Sequence, residues 1–192
     1  PDAHNLFISG GKGLGKTFLL NCALNHKKFS EQKCLYIDIE NLSNNVKVFN
    51  EIDSFSVICI DNIHCSSKDI ELELFNLVNK AFTCKIKLLI SSQLHITQLS
   101  LFPDLLSRIK QMSCFSIEQI SDDEVDDVID FMNIKLKLFF SKELIEDISK
   151  IVRRDISSIK DLFVEIEQFL YSEKKRPSKR TIMGFLKKRI NQ

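Results

Sequence analysis

The chain has 192 residues, of which 44% are apolar and 28% are charged. This composition is typical of a globular protein and excludes a disordered one. Its 27 basic and 26 acidic residues nearly cancel, so the net charge indicates neither a nucleic-acid nor a membrane partner. No apolar run is long enough for a transmembrane helix and no signal peptide is evident, so we expect a cytoplasmic protein with no membrane partner.

The cysteines and histidines form no recognisable metal site. No two of the six cysteines are spaced as CxxC, and the four histidines are dispersed along the chain. We therefore expect no zinc, and we predict reduced thiols with a structural role. The cysteines are Cys22, Cys34, Cys59, Cys65, Cys84 and Cys114.

Short apolar runs in the first part of the chain predict strands that alternate with helices. The five runs read LFIS, CLYIDI, SVICI, KLLIS and CFSI. Between the third and the fourth run, apolar residues recur at helical spacing behind two serines, at Ile70, Leu74, Leu77 and Val78. Continuous apolar strands separated by helices indicate a parallel sheet that is covered on both faces. We therefore predict an α/β domain over residues 1–118 with a five-stranded parallel sheet.

After the fifth apolar run the pattern becomes helical. Ser121 and Glu124 form a capping box before one helix, and a second helix is predicted to run through Val152. A third helix follows, and the sequence KRPSK separates it from a last helix predicted from Thr181 to Ile190. Residues 119–192 are therefore predicted to form a small all-helical lid domain.

The sequence GGKGLGKT follows the first strand and opens a helix. It fits the phosphate-binding pattern GxxxxGK[ST] in the strand, loop and helix context that this pattern requires. Glycines let backbone N–H groups surround phosphate oxygens, while Lys16 is placed to bridge the β- and γ-phosphates and Thr17 to hold Mg²⁺. The predicted nucleoside-phosphate site consists of Gly10, Gly11, Lys12, Gly13, Leu14, Gly15, Lys16, Thr17 and Phe18.

The run VICIDN predicts a buried strand that ends in a metal-binding acid. Asp61 would coordinate Mg²⁺ through water. Asn62 stands where a carboxylate would take a proton from the attacking water, and an amide cannot take it. Because the loss of a general base typically costs about 10²–10⁴-fold in rate, we expect slow hydrolysis by this chain alone.

Together with LLISSQ and PDLLSRI, these motifs resemble the AAA+ ATPases of the DnaA group over nearly the whole chain. Within that group the chain is most similar to the Hda-like regulators, which also have Asp-Asn after the apolar strand and which provoke ATP hydrolysis on the initiator. The resemblance implies an AAA+ P-loop domain followed by a helical lid. It further implies DnaA as a partner and an adenine nucleotide, ADP or ATP, with Mg²⁺ as cofactors, ADP being the expected resident ligand.

The resemblance assigns a role in trans to Arg108. In this group the arginine of the LLSRI box projects into a neighbour's nucleotide site, where an arginine finger stabilises the charge of the phosphoryl-transfer transition state. The alternative is a local ion pair with an acid such as Asp104. Lys160 replaces the phosphate-contacting arginine of the lid motif, and Gln93 replaces a short polar residue that reports on the γ-phosphate. Both departures leave phosphate sensing open, with a solvated helix lysine as the alternative for Lys160.

Three segments carry further expectations. Because the chain begins with Pro, we expect the segment that walls the adenine pocket to have preceded it, together with the N-terminal peptide by which Hda-like proteins bind the DNA sliding clamp. Gln98–Phe102, QLSLF, itself resembles a clamp-binding peptide, and packing in the core is the alternative. Lys174–Gln192 contains eight basic residues and no acid, which fits a solvated helix face or a contact with nucleic acid or an acidic partner.

The leading hypothesis is a nucleotide-bound regulator of replication initiation that presents Arg108 to ATP-bound DnaA. One alternative is a self-sufficient AAA+ ATPase acting on DNA as an initiator or helicase loader, and another is an interaction module that binds nucleotide without hydrolysis. The segment between Ile39 and Ser56 is too short for the helix with which initiators grip single-stranded DNA, and no DNA-reading domain follows the lid. Both features favour the regulator. We expect no sequence-specific DNA binding, and homo-oligomer formation stays open.

Overall fold

The first part of the chain folds as a parallel sheet between helices. The computed structural model describes residues 5–26, 31–42 and 52–190. Five strands form one sheet in the order β2-β3-β4-β1-β5, and every pairing is parallel. They are β1 (Leu6–Gly10), β2 (Cys34–Asp38), β3 (Val57–Asp61), β4 (Lys87–Ser92) and β5 (Ser113–Ile117). The predicted five-stranded parallel sheet is confirmed.

Helices cover both faces of this sheet, and the central strand β3 shows why. All five residues of β3 are buried. Ile58 and Ile60 belong to the larger core cluster, whereas Val57 and Cys59 pack on the other face with Leu20. Because side chains alternate across a strand, a continuous apolar run needs cover on both sides. The flanking helices are α1 (Lys16–Leu24), α2 (Lys68–Cys84) and α3 (Pro103–Ile109), with 3₁₀ helices at Ile52–Ser54, Ile63–Cys65 and Ile96–Gln98.

The helix predicted behind the serine pair is α2. Its N-cap is Ser67, which has an extended backbone conformation. The four residues predicted from helical spacing are all buried, at Ile70, Leu74, Leu77 and Val78. The amphipathic pattern therefore identified the face of α2 that packs on the sheet. The predicted short loop before β3 concerns in part residues 43–51, which lie outside the described residues.

The described residues divide into two compact units, with the boundary after Glu118. The second unit consists of α4 (Asp122–Lys135), α5 (Lys142–Ser149), α6 (Ile156–Ser172) and α7 (Lys179–Ile190). These helices pack around an apolar cluster that includes Val125, Ile148 and Phe163. At the start of α4, the Ser121 N–H donates to the Glu124 carboxylate at 2.9 Å, as the predicted capping box requires.

Two predicted helix bounds are wrong. Helix α5 ends at Ser149 and not at Val152, because Asp155 is already the extended N-cap of α6 and the chain has to leave the first helix before it. Helix α7 begins at Lys179 and not at Thr181, because the Ser178 hydroxyl accepts the Thr181 N–H at 3.2 Å. In both places the side chain that caps the start of a helix lies close to the misplaced bound, Asp155 for α6 and Ser178 for α7.

The cysteines only partly fit the predicted structural role. All six are free thiols. Cys59 is fully buried, and burial raises the pKa of its thiol to about 12, so it is an inert core residue. Cys34 is half-buried, but the role is wrong for the four exposed thiols, which lie on helix surfaces or on the edge strand β5, namely Cys22, Cys65, Cys84 and Cys114. Among the described helices, none combines the length and the apolar character needed to cross a membrane.

Candidate functional site

The loop between β1 and α1 depends on its glycines. A Cβ atom at Gly10 would lie 2.7 Å from the Ile117 carbonyl oxygen of β5, so only glycine fits there. Gly13 and Gly15 have φ values of +82° and +88°, in the left-handed region that favours glycine. These positions let the chain turn sharply from the end of β1 into the N-terminus of α1, which is the geometry of a phosphate-binding loop.

Lys16 lies inside this loop. Its side chain is only 6% exposed, and Nζ donates to the carbonyl oxygens of Gly10 and Gly11, both at 2.7 Å. Burial lowers the pKa of Lys16, and the charge of Asp61 partly opposes this effect. Within the described part of the chain, no acid lies within ion-pair distance of Nζ. A buried ammonium group held by neutral acceptors suits a phosphate.

The remaining predicted loop residues differ in exposure. Gly11 and Lys12 are exposed, whereas Leu14 is buried and 6% exposed. Phe18 follows Thr17 on α1, and 69% of its surface is exposed. A large exposed aromatic ring beside a phosphate loop is available to a ligand, and its predicted contact with the nucleotide stays a prediction.

The Asp61 carboxylate is the most densely hydrogen-bonded group at this edge of the sheet. Asp61 is 1% exposed, and its Oδ2 accepts from the Thr17 hydroxyl at 2.6 Å and the Tyr36 hydroxyl at 2.8 Å. Its Oδ1 accepts from the Ser91 hydroxyl and from the Asn62 N–H, the latter at 3.1 Å. Burial raises the pKa of Asp61, but these hydrogen bonds outweigh burial and leave the pKa below its ordinary value.

The Thr17 and Asp61 oxygens fit a magnesium ion. Both are hard donors, and the hydroxyl and the carboxylate already lie in contact at 2.6 Å. In the described part of the chain, no group of three or more His, Cys, Asp or Glu side chains could hold a metal. Mg²⁺ commonly uses one or two protein oxygens together with waters and phosphates, so this small donor set suits it.

Asn62 begins the short 3₁₀ helix that follows β3. Its backbone is left-handed, with φ +59° and ψ +40°, which asparagine tolerates better than most residues. Its side-chain Nδ2 donates to Asp38 Oδ1 at 3.0 Å. Asp38 ends β2 and pairs in register with Asp61 at the end of β3. The amide at the predicted base position is therefore held by an acid from the neighbouring strand.

Gln93 follows the last residue of β4 and is half-buried. Its backbone N–H donates to His64 Nδ1 at 3.3 Å. Burial and the charge of Lys16 lower the pKa of His64, although nearby acids oppose this shift. The lowered pKa favours the neutral imidazole, whose Nδ1 accepts the Gln93 N–H.

Arg108 lies in the last turn of α3 and is half-buried. The buried face of this helix carries Leu105 and Ile109. Among the described residues, no side-chain hydrogen bond or ion pair holds the guanidinium group, and the pairing considered with Asp104 is not formed. Its positive charge is therefore not paired with any acid in the described part of the chain.

Lys160 belongs to the second unit. It lies on the exposed side of α6, next to the buried Ile159. Its predicted contact with bound phosphates stays a prediction, as does the alternative of a solvated helix lysine.

The QLSLF segment is packed into the core of the first unit. Leu99 is buried, and the Phe102 ring contacts the Phe75 ring edge to face, with centroids 5.6 Å apart. The Phe102 N–H donates to the buried Glu71 carboxylate at 2.6 Å. These contacts favour the packing alternative over a clamp-binding peptide, which would have to be extended and exposed.

Part of the basic C-terminal segment forms ion pairs on the surface of the second unit. Lys179 lies 2.9 Å from an Asp147 oxygen, and Arg189 lies 2.7 Å from Glu165. Lys175 pairs with Glu173 at 2.9 Å. These pairs favour a solvated helix face for this part of the segment.

The structure adds four residues that the sequence did not indicate. Tyr36, Asp38, Ser91 and His64 all contact the predicted site residues. Tyr36, Asp38 and Ser91 stand in or at the end of predicted apolar runs, whose carboxyl ends meet at one edge of a parallel sheet. A polar residue near the end of such a run is the signal that could have found them.

Solved structures share this fold, although no protein-family model matches the chain. Domain III of the Thermotoga maritima replication initiation protein DnaA superposes with a TM-score of 0.82 at 18% identity, over 98% of this chain and 85% of that one. AMPPCP-bound DnaA from Aquifex aeolicus gives a TM-score of 0.75 at 20% identity, over 85% of this chain and 56% of that one. The RuvB Holliday junction branch migration motor of Thermotoga maritima gives 0.73 at 18% identity, over 96% and 61%.

These likenesses establish the fold and not the activity. The chain has the fold of the DnaA AAA+ domain, a five-stranded parallel sheet flanked by helices. The same fold occurs in a branch migration motor, so the fold does not decide between regulator and motor. The chain also spans little more than half of the Aquifex aeolicus DnaA that it matches, 56% of its length.

Proposed function

We propose that this chain binds an adenine nucleotide with Mg²⁺ and regulates replication initiation by stimulating hydrolysis of ATP that is bound to DnaA. The observation that carries the proposal is an arginine that no described residue pairs with, on a chain that has an amide at the predicted base position. Arg108 has no acid within ion-pair distance among the described residues. Asn62, at the predicted base position, is the N-cap of the short 3₁₀ helix after β3.

The first unit would hold the nucleotide. Gly13, Gly15 and Lys16 would surround the phosphates, and Thr17 and Asp61 would hold Mg²⁺ through oxygen ligands. Mg²⁺ would supply neutralisation of phosphate charge. AMPPCP binds to Aquifex aeolicus DnaA, which has the same fold, and this supports a nucleotide ligand here.

Hydrolysis in the chain's own site would be slow. The Asn62 amide can donate and accept hydrogen bonds, but it cannot take a proton from water. A bound nucleotide would therefore persist, and the resemblance to Hda-like regulators makes ADP the expected resident form.

Arg108 would act on the partner. A guanidinium group near the γ-phosphate of another subunit stabilises negative charge in the transition state, an effect worth about 10³–10⁵ in rate in GTPase systems. The buried face of α3 fixes the backbone that carries Arg108, so the side chain has a defined origin on the surface. The sliding clamp is the further partner that the resemblance to Hda-like regulators implies.

The test is single-turnover hydrolysis of ATP that has been pre-bound to DnaA, with the full-length protein added in excess. We expect Arg108→Ala to lower the stimulated rate by about 10³-fold. Lys110→Ala is the matched control, because Lys110 is an exposed cation at the C-terminal end of the same helix. Unchanged stimulation by Arg108→Ala would contradict the finger role and favour a nucleotide-binding interaction module.

The second candidate is a self-sufficient ATPase acting on DNA. The RuvB motor has the same fold, and Lys16, Thr17 and Asp61 are all in place for a nucleotide. This candidate predicts ordinary turnover by the protein alone that single-stranded DNA accelerates. A rate near background with and without DNA would exclude it and leave the regulator.

A further inference from the structure

The acid that position 62 lacks is present on the neighbouring strand. Asp38 ends β2 and lies in register with Asp61, which ends β3. The Asn62 side chain donates from Nδ2 to Asp38 Oδ1 at 3.0 Å. A carboxylate therefore contacts the residue that stands in place of the base, although it belongs to a different strand.

This contact fixes which way the Asn62 amide faces. A carboxylate only accepts hydrogen bonds, so the NH₂ end of the amide has to face Asp38 and the carbonyl oxygen faces away from it. The backbone is held as well, because the Asn62 N–H lies 3.1 Å from Asp61 Oδ1 and 3.2 Å from Ser91 Oγ. Asn62 consequently has one preferred orientation in the site.

Asp38 is itself held in place. Its Oδ2 accepts from Asn41 Nδ2 at 2.6 Å, and its Oδ1 accepts from the Glu40 N–H at 3.2 Å. With the Asn62 contact, the carboxylate has three donors and only partial exposure to water. Turning Asp38 away from Asn62 would therefore also break contacts within its own loop.

We propose that Asp38 is a positioning residue of the nucleotide site and that it determines which side chain position 62 can carry. It holds Asn62 with the carbonyl oxygen free to accept a hydrogen bond from a water beside the terminal phosphate of a nucleoside triphosphate. Its negative charge at the same time disfavours a second carboxylate at position 62. This inference rests on the proposed nucleotide site. It gives a reason for an acid at position 38 beside an amide at position 62 in this chain.

We therefore expect a single acidic substitution at position 62 to destabilise the protein. Asn62→Asp would place two carboxylates, which only accept hydrogen bonds, at hydrogen-bond distance, and their like charges would repel. The substitution would therefore be destabilising. Exchanging both residues, Asp38→Asn with Asn62→Asp, would restore one acid and one amide.

The experiment is a double-mutant cycle on the full-length protein, with wild type, Asp38→Asn, Asn62→Asp and the double variant. We expect Asn62→Asp to lower Tm by about 3–6 °C at pH 7.5, and most of this loss to disappear in the double variant. Single-turnover ATP hydrolysis should be about tenfold faster in the double variant than in Asn62→Asp.

The matched control is Asp53→Asn in the same cycle. Asp53 is an exposed acid of the first unit that pairs with Lys80 at 2.6 Å, and its substitution should not couple to Asn62→Asp. A Tm for Asn62→Asp within about 1 °C of wild type at pH 7.5 would overturn the proposal, as would equal hydrolysis rates for Asn62→Asp and the double variant. Binding of labelled ADP to the wild type distinguishes a failure of the nucleotide site from a failure of the Asp38 contact. If ADP does not bind, the nucleotide site is refuted, whereas the Tm cycle tests the Asp38 contact in either case.

Discussion

Asp61 and Arg108 lie in the same unit, and their surroundings are opposite. Asp61 is 1% exposed, and three hydroxyl groups and a backbone N–H donate to it. Arg108 is half-buried, and no described residue binds its guanidinium group. The Asp61 carboxylate is thus stabilised by hydrogen bonds from its own chain, whereas no such contact from the described residues stabilises the Arg108 guanidinium group.

The first test of the contrast between Asp61 and Arg108 keeps a positive charge at position 108 and removes the planar guanidinium group. Arg108→Lys should reduce stimulation of DnaA-bound ATP hydrolysis by about 10²-fold, because lysine lacks the planar fork that binds two phosphate oxygens. The measurement is single-turnover hydrolysis, with Lys110→Arg as the control. Full stimulation by Arg108→Lys would show that a point charge is enough.

A second test removes the negative charge of the Asp61 side chain. Asp61→Asn should weaken binding of ADP in the presence of Mg²⁺ by about 10- to 100-fold, because a charged ligand of the metal is lost. Titrations of labelled ADP with Mg²⁺ and with a chelator would measure this. The chelator should weaken binding to the wild type and leave the variant nearly unchanged. Equal Mg²⁺ dependence in both proteins would contradict the metal-binding role.

The depressed pKa of Asp61 predicts how stability depends on pH. Since the folded-state pKa lies below the ordinary value of 3.8, its contribution is fully present above that value and is lost as the pH falls through the folded-state pKa. The stability difference between the wild type and Asp61→Asn should therefore be constant at pH 6 to 5 and should narrow below about pH 4. Denaturant unfolding at pH 6, 4 and 3 would measure it. A difference that stays constant or widens at pH 3 would contradict the hydrogen-bonding argument.

The smallest expected effect is that of a substitution at Tyr36, which tests one of the hydrogen bonds to Asp61. Tyr36→Phe removes one donor to Asp61 at 2.8 Å and should lower the free energy of unfolding by about 1 kcal/mol. It should also raise the pKa of Asp61 towards its ordinary value. Urea unfolding is the measurement, and Tyr171→Phe is the control because that ring is 87% exposed. A neutral effect would mean that water replaces the lost hydroxyl.

The sheet and the position of the glycine loop between β1 and α1 could be predicted because their signals are local. Five apolar runs correspond to the five strands, and the spacing of Lys16 and Thr17 lies within one short motif. The end of α5 and the start of α7 were misplaced, since each lies close to the capping side chain of a following helix, Asp155 for α6 and Ser178 for α7. The four exposed cysteines were misread, because an apolar neighbourhood in sequence does not fix which side chains face water.

The partners of Asp61 and Asn62 could not be predicted in the same way. Tyr36 and Asp38 come from β2 and Ser91 from β4, and all three reach the site only through the register of a sheet whose strand order differs from chain order. No single segment of sequence contains that information. The sequence indicated a missing base at position 62, whereas the three-dimensional arrangement shows that an acid contacts it from the side.

The buried Glu71 affects how much conformational entropy is lost when another molecule binds Arg108. Its carboxylate accepts the N–H of Phe102, the residue that caps α3, and Phe75 packs on the same ring. These contacts from α2 order the backbone of α3 when the chain folds. Fixing a residue's backbone costs about 1–2 kcal/mol of conformational entropy. For α3 this entropy is lost when the chain folds and not when a partner binds. A partner that binds Arg108 has to restrict little more than the rotamers of one side chain.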